Sequence, residues 1–356
     1  MTSGKTTLVS VLLASGLMAA PHAARQAAPP AAQTQASSPL PKVLLVATGG
    51  TISNRDGKRL TVEELIQSVP NLGQRVRAEG EQFDNVSSGA MTLAQWLDLS
   101  RRLNDRFRKD PDLAGIVVTS GTDTLEELAY FLHLTVVDAR PVVVVGSMRN
   151  PSQVGYEGVA NLDDGFRVAA EPAAKGMGTL VVLNDEINSA RDVTKSDSQR
   201  LDTFDSRHYG ALGRVLDRVV LFRKPVRRHT AQSEFDVSTI QELPRVDVIL
   251  TYQGAPGDLI KAAADAGAKG IVIAGAGTGA TSGTQGEGIS YATGKGVFVV
   301  STTRTGSGGV PGGGRGGTTR RINGDDLQPI KARILLMLAL AKTQDPAEIQ
   351  RMFREY

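Results

Sequence analysis

The sequence predicts an α/β protein of two domains, a larger N-terminal one on a doubly wound, mostly parallel sheet and a smaller C-terminal α/β one. Three observations carry this reading. From Lys42 onward short β-branched runs alternate with helical patterns, as strand–helix–strand units do. Most of the runs are apolar on both faces, which suits interior strands covered by helices on each side. The alternation collapses once, over 224–244, into polar, basic and Pro-containing sequence, so we expect domains at 42–223 and 245–356 joined by a linker.

In chain order, the first expected strand, 43–47, runs into Thr48-Gly-Gly-Thr51. Helices are expected over 61–67, 92–107, 124–134 and 159–170, and further strands at 115–119, 141–146, 179–183 and 219–222. Beyond the linker, strands at 246–251, 270–274 and 296–301 restart the pattern. A closing helix, 327–343, repeats its apolar face at Ile330, Ile334, Leu335, Leu338 and Leu340.

Composition excludes several functions. The formal charge is only +3, with 40 basic and 37 acidic residues, and aromatics make up 4%, so a nucleic-acid surface is not expected. There is no cysteine, which removes disulfides, thiolate metal sites and cysteine nucleophiles. His22, His133, His208 and His229 lack metal-ligand spacing, so no metal is expected. Lys5, the apolar stretch 7–18 and small residues over 19–28 read as an export signal, placed at 1–28. A Pro-, Ala- and Gln-rich tether, 29–41, follows. The expected location of the folded part is therefore the periplasm or outside the cell, with no membrane contact in the mature form.

The chemistry concentrates at strand ends. Thr51 follows Gly49-Gly50 beyond the first strand, and the strand 115–119 ends in Ser120-Gly-Thr-Asp-Thr124. If those strands are neighbours, as parallel units usually are, Thr51 and Thr122 face one crevice. Asp123 beside them could hold a substrate ammonium, since opposite charges about 4 Å apart attract by roughly 4 kcal/mol at an effective dielectric of 20. The strand 179–183 runs on toward Arg191-Asp-Val-Thr-Lys195, bringing a cation to the same edge. No Ser/His/Asp arrangement is visible, and a desolvated lysine can act as base to a threonine hydroxyl. A plain structural role is the alternative: Thr51 and Thr122 as helix caps, Asp123 opening a helix and Lys195 in a salt bridge. Gly275-x-Gly-x-x-Ala280 also matches a dinucleotide fingerprint in letters, but the acidic residue expected about 20 positions on is missing, with Thr302-Thr-Arg304 in its place.

These motifs together resemble the bacterial-type L-asparaginase (asparaginase/glutaminase) family. The likeness runs from Val43-Leu-Leu-Val-Ala-Thr-Gly-Gly-Thr-Ile52 through Thr119-Ser-Gly-Thr-Asp-Thr124, Pro141-Val-Val-Val-Val-Gly-Ser-Met-Arg149, Val182-Leu-Asn-Asp185 and Arg191-Asp-Val-Thr-Lys195 to 331–340. It implies the two-domain asparaginase-like architecture and hydrolysis of the side-chain amide of L-asparagine, with Thr51 as nucleophile and an aspartyl ester as intermediate. It further implies Thr122 and Lys195 as the activating pair, and Asp123 and Ser88 as holders of the α-ammonium and α-carboxylate. The backbone at Gly50 and Gly121 would line the substrate and stabilise the oxyanion. No cofactor is implied, and the expected assembly is a homotetramer made as a dimer of dimers. Export suggests the periplasmic, type II-like group.

The chain also departs from the family's pattern. The loop 53–60 is short and holds no tyrosine, which leaves the base for Thr51 unassigned; Gly89 stands where a glutamine normally follows the serine. Ala280 replaces an expected asparagine, and 304–321, Gly-rich over 305–317, carries no acidic residue. Weak action on glutamine is therefore expected, and an amino-acid-binding protein on a degenerate scaffold is the rival expectation.

Overall fold

The computed structural model describes residues 39–310, 312 and 319–356. The export signal placed at 1–28 and most of the 29–41 tether lie outside them.

The first half contains β1 (Lys42–Gly49), a ribbon of β2 (Asn54–Arg55) and β3 (Lys58–Arg59), β4 (Arg77–Val86), β5 (Leu113–Thr119), β6 (Val142–Val145), β7 (Thr179–Leu183), β8 (Glu186–Ser189), β9 (Thr194–Lys195), β10 (Phe204–Asp205), β11 (Gly213–Val215) and β12 (Val219–Leu221). Its helices are α1 (Val62–Ser68), α2 (Leu93–Lys109), α3 (Leu125–Thr135) and α4 (Gly158–Ala170). Eight strands form one sheet in the order β12-β11-β8-β7-β6-β5-β1-β4. The stretch β7-β6-β5-β1-β4 is parallel, and the β7–β8–β11–β12 end is antiparallel.

Alternation along the strands divides the core. Leu44, Val46, Ile116 and Val118 face α2 and α3, and Val43, Leu45, Val117 and Val143 face α1 and α4. Side-chain capping boxes start two helices: Thr61 with Glu64 opens α1, and Thr92 with Gln95 opens α2.

The second half carries β13 (Val246–Leu250), α5 (Asp258–Asp265), β14 (Gly270–Gly275), α6 (Gln285–Gly294), β15 (Phe298–Thr303), β16 (Arg321–Asn323), α7 (Pro329–Lys342) and α8 (Pro346–Glu355). Its strands are parallel in the sequential order β13-β14-β15-β16. One face packs on α5 and α6. The other contributes Val272, Phe298 and Val300 to the same core as α2, α3, α7 and α8. The segment 224–244 that links the halves buries His229, Thr230, Phe235, Val237 and Leu243.

Several elements differ from expectation. β4 was not foreseen, because Arg-Ala-Glu-Gly-Glu-Gln-Phe-Asp-Asn-Val is an edge strand whose polar side chains meet solvent and charged neighbours. Of the 219–222 run, Val219–Leu221 is half-buried at the opposite, antiparallel edge rather than interior, and Phe222 is exposed. α5, α6 and α8 were also missed: the first two are rich in Ala and Gly, and the third is mostly polar apart from Ile349, Met352 and Phe353. A dinucleotide fingerprint should open a helix at once, yet after Gly275 the chain folds back through an Ala276–Ala280 bridge, and α6 starts only at Gln285.

Candidate functional site

In the large sheet the chain passes from β1 to β4 on one side and then to β5 on the other. The carboxyl ends of β1 and β5 therefore sit at the point where strand order reverses, the place where open α/β sheets leave a crevice. Thr48 ties the two ends together by donating to the Thr119 carbonyl at 2.6 Å.

The first elbow depends on glycine. Gly49 and Gly50 have φ of 108° and 90°, in the region L side chains avoid. A Cβ on Gly49 would strike the backbone of Val86, and one on Gly50 would strike the amide nitrogen of Gly121. The two Gly-Thr elbows are thus packed backbone to backbone. Thr51 opens a 3₁₀ turn, Thr51–Ser53, that is anchored on every side. Gly50 N–H donates to Val86 O at 2.8 Å, Arg59 Nη1 donates to Gly50 O at 2.8 Å, and Ser53 Oγ donates to Asn85 Oδ1 at 3.1 Å. Tyr156 OH donates to Ile52 O at 2.8 Å. The tyrosine-free loop after Thr51 closes as the β2–β3 ribbon, turned by Gly57 at φ 80°.

At the second elbow, Thr122 is only 5% exposed, and its hydroxyl accepts from Lys195 Nζ at 3.0 Å. The same ammonium donates to Asp123 Oδ1 at 2.8 Å, and the Asp123 side chain is otherwise open to solvent. Thr122 does not cap a helix: the N-cap of α3 is Thr124, whose N–H donates to Ser88 Oγ at 3.4 Å. Ser88 is buried, and a Cβ on Gly121 would crowd its hydroxyl. Thr122, Asp123, Lys195, Ser88, Gly121 and Gly50 are therefore brought into one contiguous cluster, and Thr51 stands on the elbow that Gly50 presses against it.

Four residues of this neighbourhood carried no role in the sequence reading. Arg59 and Tyr156 hold the carbonyls of the first elbow, and nothing local in the sequence marks either. Glu126, 6% exposed, accepts from both Thr194 Oγ1 and Lys195 N–H at 3.1 Å through one oxygen. It stands in the first turn of α3, where an acidic residue is ordinary, so its sequence position does not mark this role. Lys331 is completely buried behind Glu126 and is conspicuous as a lysine near the start of the apolar helix α7. Chemically, the cluster offers a hydroxyl bonded to an amine and a solvent-facing carboxylate for a cation.

Such an arrangement, polar groups at the switch point of a doubly wound sheet, defines a small-molecule site of the open α/β class. Comparison with known proteins narrows the class. The family model "Asparaginase, N-terminal" matches residues 42–227, and "Glutaminase/Asparaginase C-terminal domain" matches 245–353. The chain is 45% identical to L-asparaginase 2 of Bacillus subtilis (strain 168), over 89% of this chain and 87% of that protein. It is 37% identical to glutaminase-asparaginase of Pseudomonas fluorescens biotype A, covering 92% and 93% of the two chains. Among solved structures it matches a probable cytoplasmic L-asparaginase from Campylobacter jejuni with a TM-score of 0.84 and 36% identity, over 88% of this chain and 99% of that one. The chain belongs to the asparaginase family.

Proposed function

We propose that this protein hydrolyses the side-chain amide of L-asparagine to aspartate and ammonia through a threonine acyl-enzyme. The observation that carries the reading is the contact of Lys195 Nζ with Thr122 Oγ1, 3.0 Å, on an elbow packed against the one that bears Thr51. Thr51 Oγ attacks the amide carbon, its proton passes to the departing nitrogen, and the C–N bond breaks to release ammonia. Water then cleaves the ester, with Thr122 and Lys195 moving the proton. Elbow N–H groups stabilise the oxyanion, a contribution worth about 3–4 kcal/mol per donor in acyl transfer.

Substrate binding has an electrostatic consequence. With the site free, Asp123 neutralises Lys195 at 2.8 Å. An incoming α-ammonium competes for the same carboxylate and so loosens its hold on Lys195. Ser88 is assigned to the α-carboxylate.

The test is ammonia release by the purified protein from L-Asn, L-Gln and their D forms. We expect L-Asn to exceed L-Gln by at least about tenfold in kcat/KM, a difference of about 1.4 kcal/mol in transition-state binding. Gly89 and the acid-free 304–321 segment motivate that preference. Equal values for the two amides would overturn it. The tyrosine-free β2–β3 ribbon favours the rival reading of an amino-acid-binding protein, which predicts ligand-dependent thermal stabilisation without turnover. A homotetramer and an exported mature form complete the proposal. Light scattering in solution and the N-terminal mass of the protein recovered from the periplasm test them.

A further inference from the structure

Lys331 is 0% exposed, and all three of its N–H bonds are used. They point to the carbonyls of Ala190 at 3.0 Å, Arg191 at 2.8 Å and Val193, which together form the turn that leads from β8 into Thr194 and Lys195. Its one ion-pair partner among the described residues is Glu126, with Oε2 4.0 Å from Nζ. That oxygen has no hydrogen-bond partner, and the other one receives Thr194 Oγ1 and Lys195 N–H. The segment 190–195 is thus held at its start by an amine and at its end by a carboxylate, the two lying beside each other out of water. Burial pushes the Lys331 ammonium down to about 8 although Glu126 and Asp192 oppose the shift. A buried charge of this kind is costly unless it is paired and fully hydrogen-bonded, so the arrangement calls for a role beyond filling space.

We propose that Lys331 and Glu126 act as a positioning pair that sets the reach of Lys195 toward Thr122 and carries the packing of α7, a helix of the second half, into the site of the first. This rests on the functional reading above. Neither residue touches the reacting atoms. Glu126 fixes the Lys195 backbone, Lys331 fixes the turn before it, and the 3.0 Å contact of Nζ with Thr122 Oγ1 follows from both.

The test uses the full-length protein carrying Lys331→Met, Glu126→Gln or both. Each single variant should lower kcat for ammonia release from L-Asn by about 30- to 100-fold while KM changes less than about threefold, since the groups act on the catalytic step through another residue. The double variant should be no slower than the slower single one, because removing both charges leaves neither unpaired. Crystal structures of the singles should show Lys195 Nζ withdrawn from Thr122. A folded Lys331→Met with kcat within about twofold of wild type, single effects that multiply, or an unmoved Lys195 would each overturn the proposal. If Lys331→Met does not fold, the isosteric Glu126→Gln decides by the same kcat and structural readouts. If wild-type protein releases no ammonia from any amide, the functional reading fails, and the position of Lys195 in the variant structures still decides the positioning role.

Discussion

The molecule's two larger sheets each contain parallel strands that end in glycine and threonine, and they differ in what those residues do. At the end of β1, Gly49 and Gly50 let the backbones of Val86 and Gly121 approach, and the threonine of the second elbow is left for a lysine. At the end of β14, Gly275 packs against Gly279 within its own loop, and Ala276 and Ala280 exchange hydrogen bonds of 2.9 and 2.8 Å. The threonines beside that loop spend their hydroxyls on backbone: Thr302 donates to Ile273 O and Thr303 to Gly277 O. The sheets differ in strand order. The large one reverses at β1, so that its connections leave in opposite directions; the small one runs β13 to β16 in sequence. Similar strand-end residues become a candidate site only where topology leaves room between neighbouring loops.

Paired substitutions in the two sheets test this contrast. The largest effect is expected at the hydroxyls: Thr51→Ala and Thr122→Ala should each reduce ammonia release by at least about 10³-fold with melting unchanged, whereas Thr302→Ala and Thr303→Ala should leave kcat within about twofold. Near-normal turnover in either of the first two would remove its assigned role. Next comes the backbone. Gly50→Ala sets a side chain at φ 90° against Gly121 and should cost more than about 3 kcal/mol in denaturant unfolding, while Gly277→Ala, at φ 49° with open space around it, should cost about 1 kcal/mol.

Smaller effects concern how the sheets are joined and how the elbow is held. Arg191 pairs with Asp326 at 2.6 Å, and Tyr209 OH donates to the same carboxylate at 2.6 Å. Despite partial burial, these partners hold Asp326 down to about 2, below its ordinary 3.8. A depressed carboxylate contributes stability that is fully present above the unfolded value and is lost as pH falls from about 4 toward 2, here about 2 kcal/mol. The stability gap between wild type and Asp326→Asn should narrow by that amount over that window; a constant gap would show the pair is not coupled to folding. Finally, Tyr156→Phe removes the donor to Ile52 O at 2.8 Å and should cost about 1 kcal/mol in stability, with a severalfold loss in kcat as the first elbow loosens. An unchanged kcat would mean that the ribbon and Arg59 hold Thr51 without it.

Much of the fold was legible because burial on both faces writes itself into composition. β1, β5, β6, β7 and β14 are largely apolar runs, and β15 begins as one. β4 was not legible, since an edge strand needs no such run, yet its end supplies the Val86 carbonyl that anchors Gly50. The site divides in the same way. Thr51, Thr122, Asp123 and Ser88 stand in short motifs beside glycines, where local backbone demands mark them. Glu126 stands in a helix whose local sequence says only that it is helical, Lys331 is merely an odd lysine in an apolar helix, and their meaning comes from the turn they share.

By itself the sequence determined the alternation of strand and helix, the glycine elbows, the helix caps and the kinds of chemical group available, because each depends on a residue and its near neighbours. The tertiary structure alone decided which strands adjoin, that the elbows touch at Gly50 and Gly121, and that Lys195 and Lys331 reach partners 73 and 141 residues away. Contacts at such separations depend on the path of the whole chain, and no local preference encodes that path.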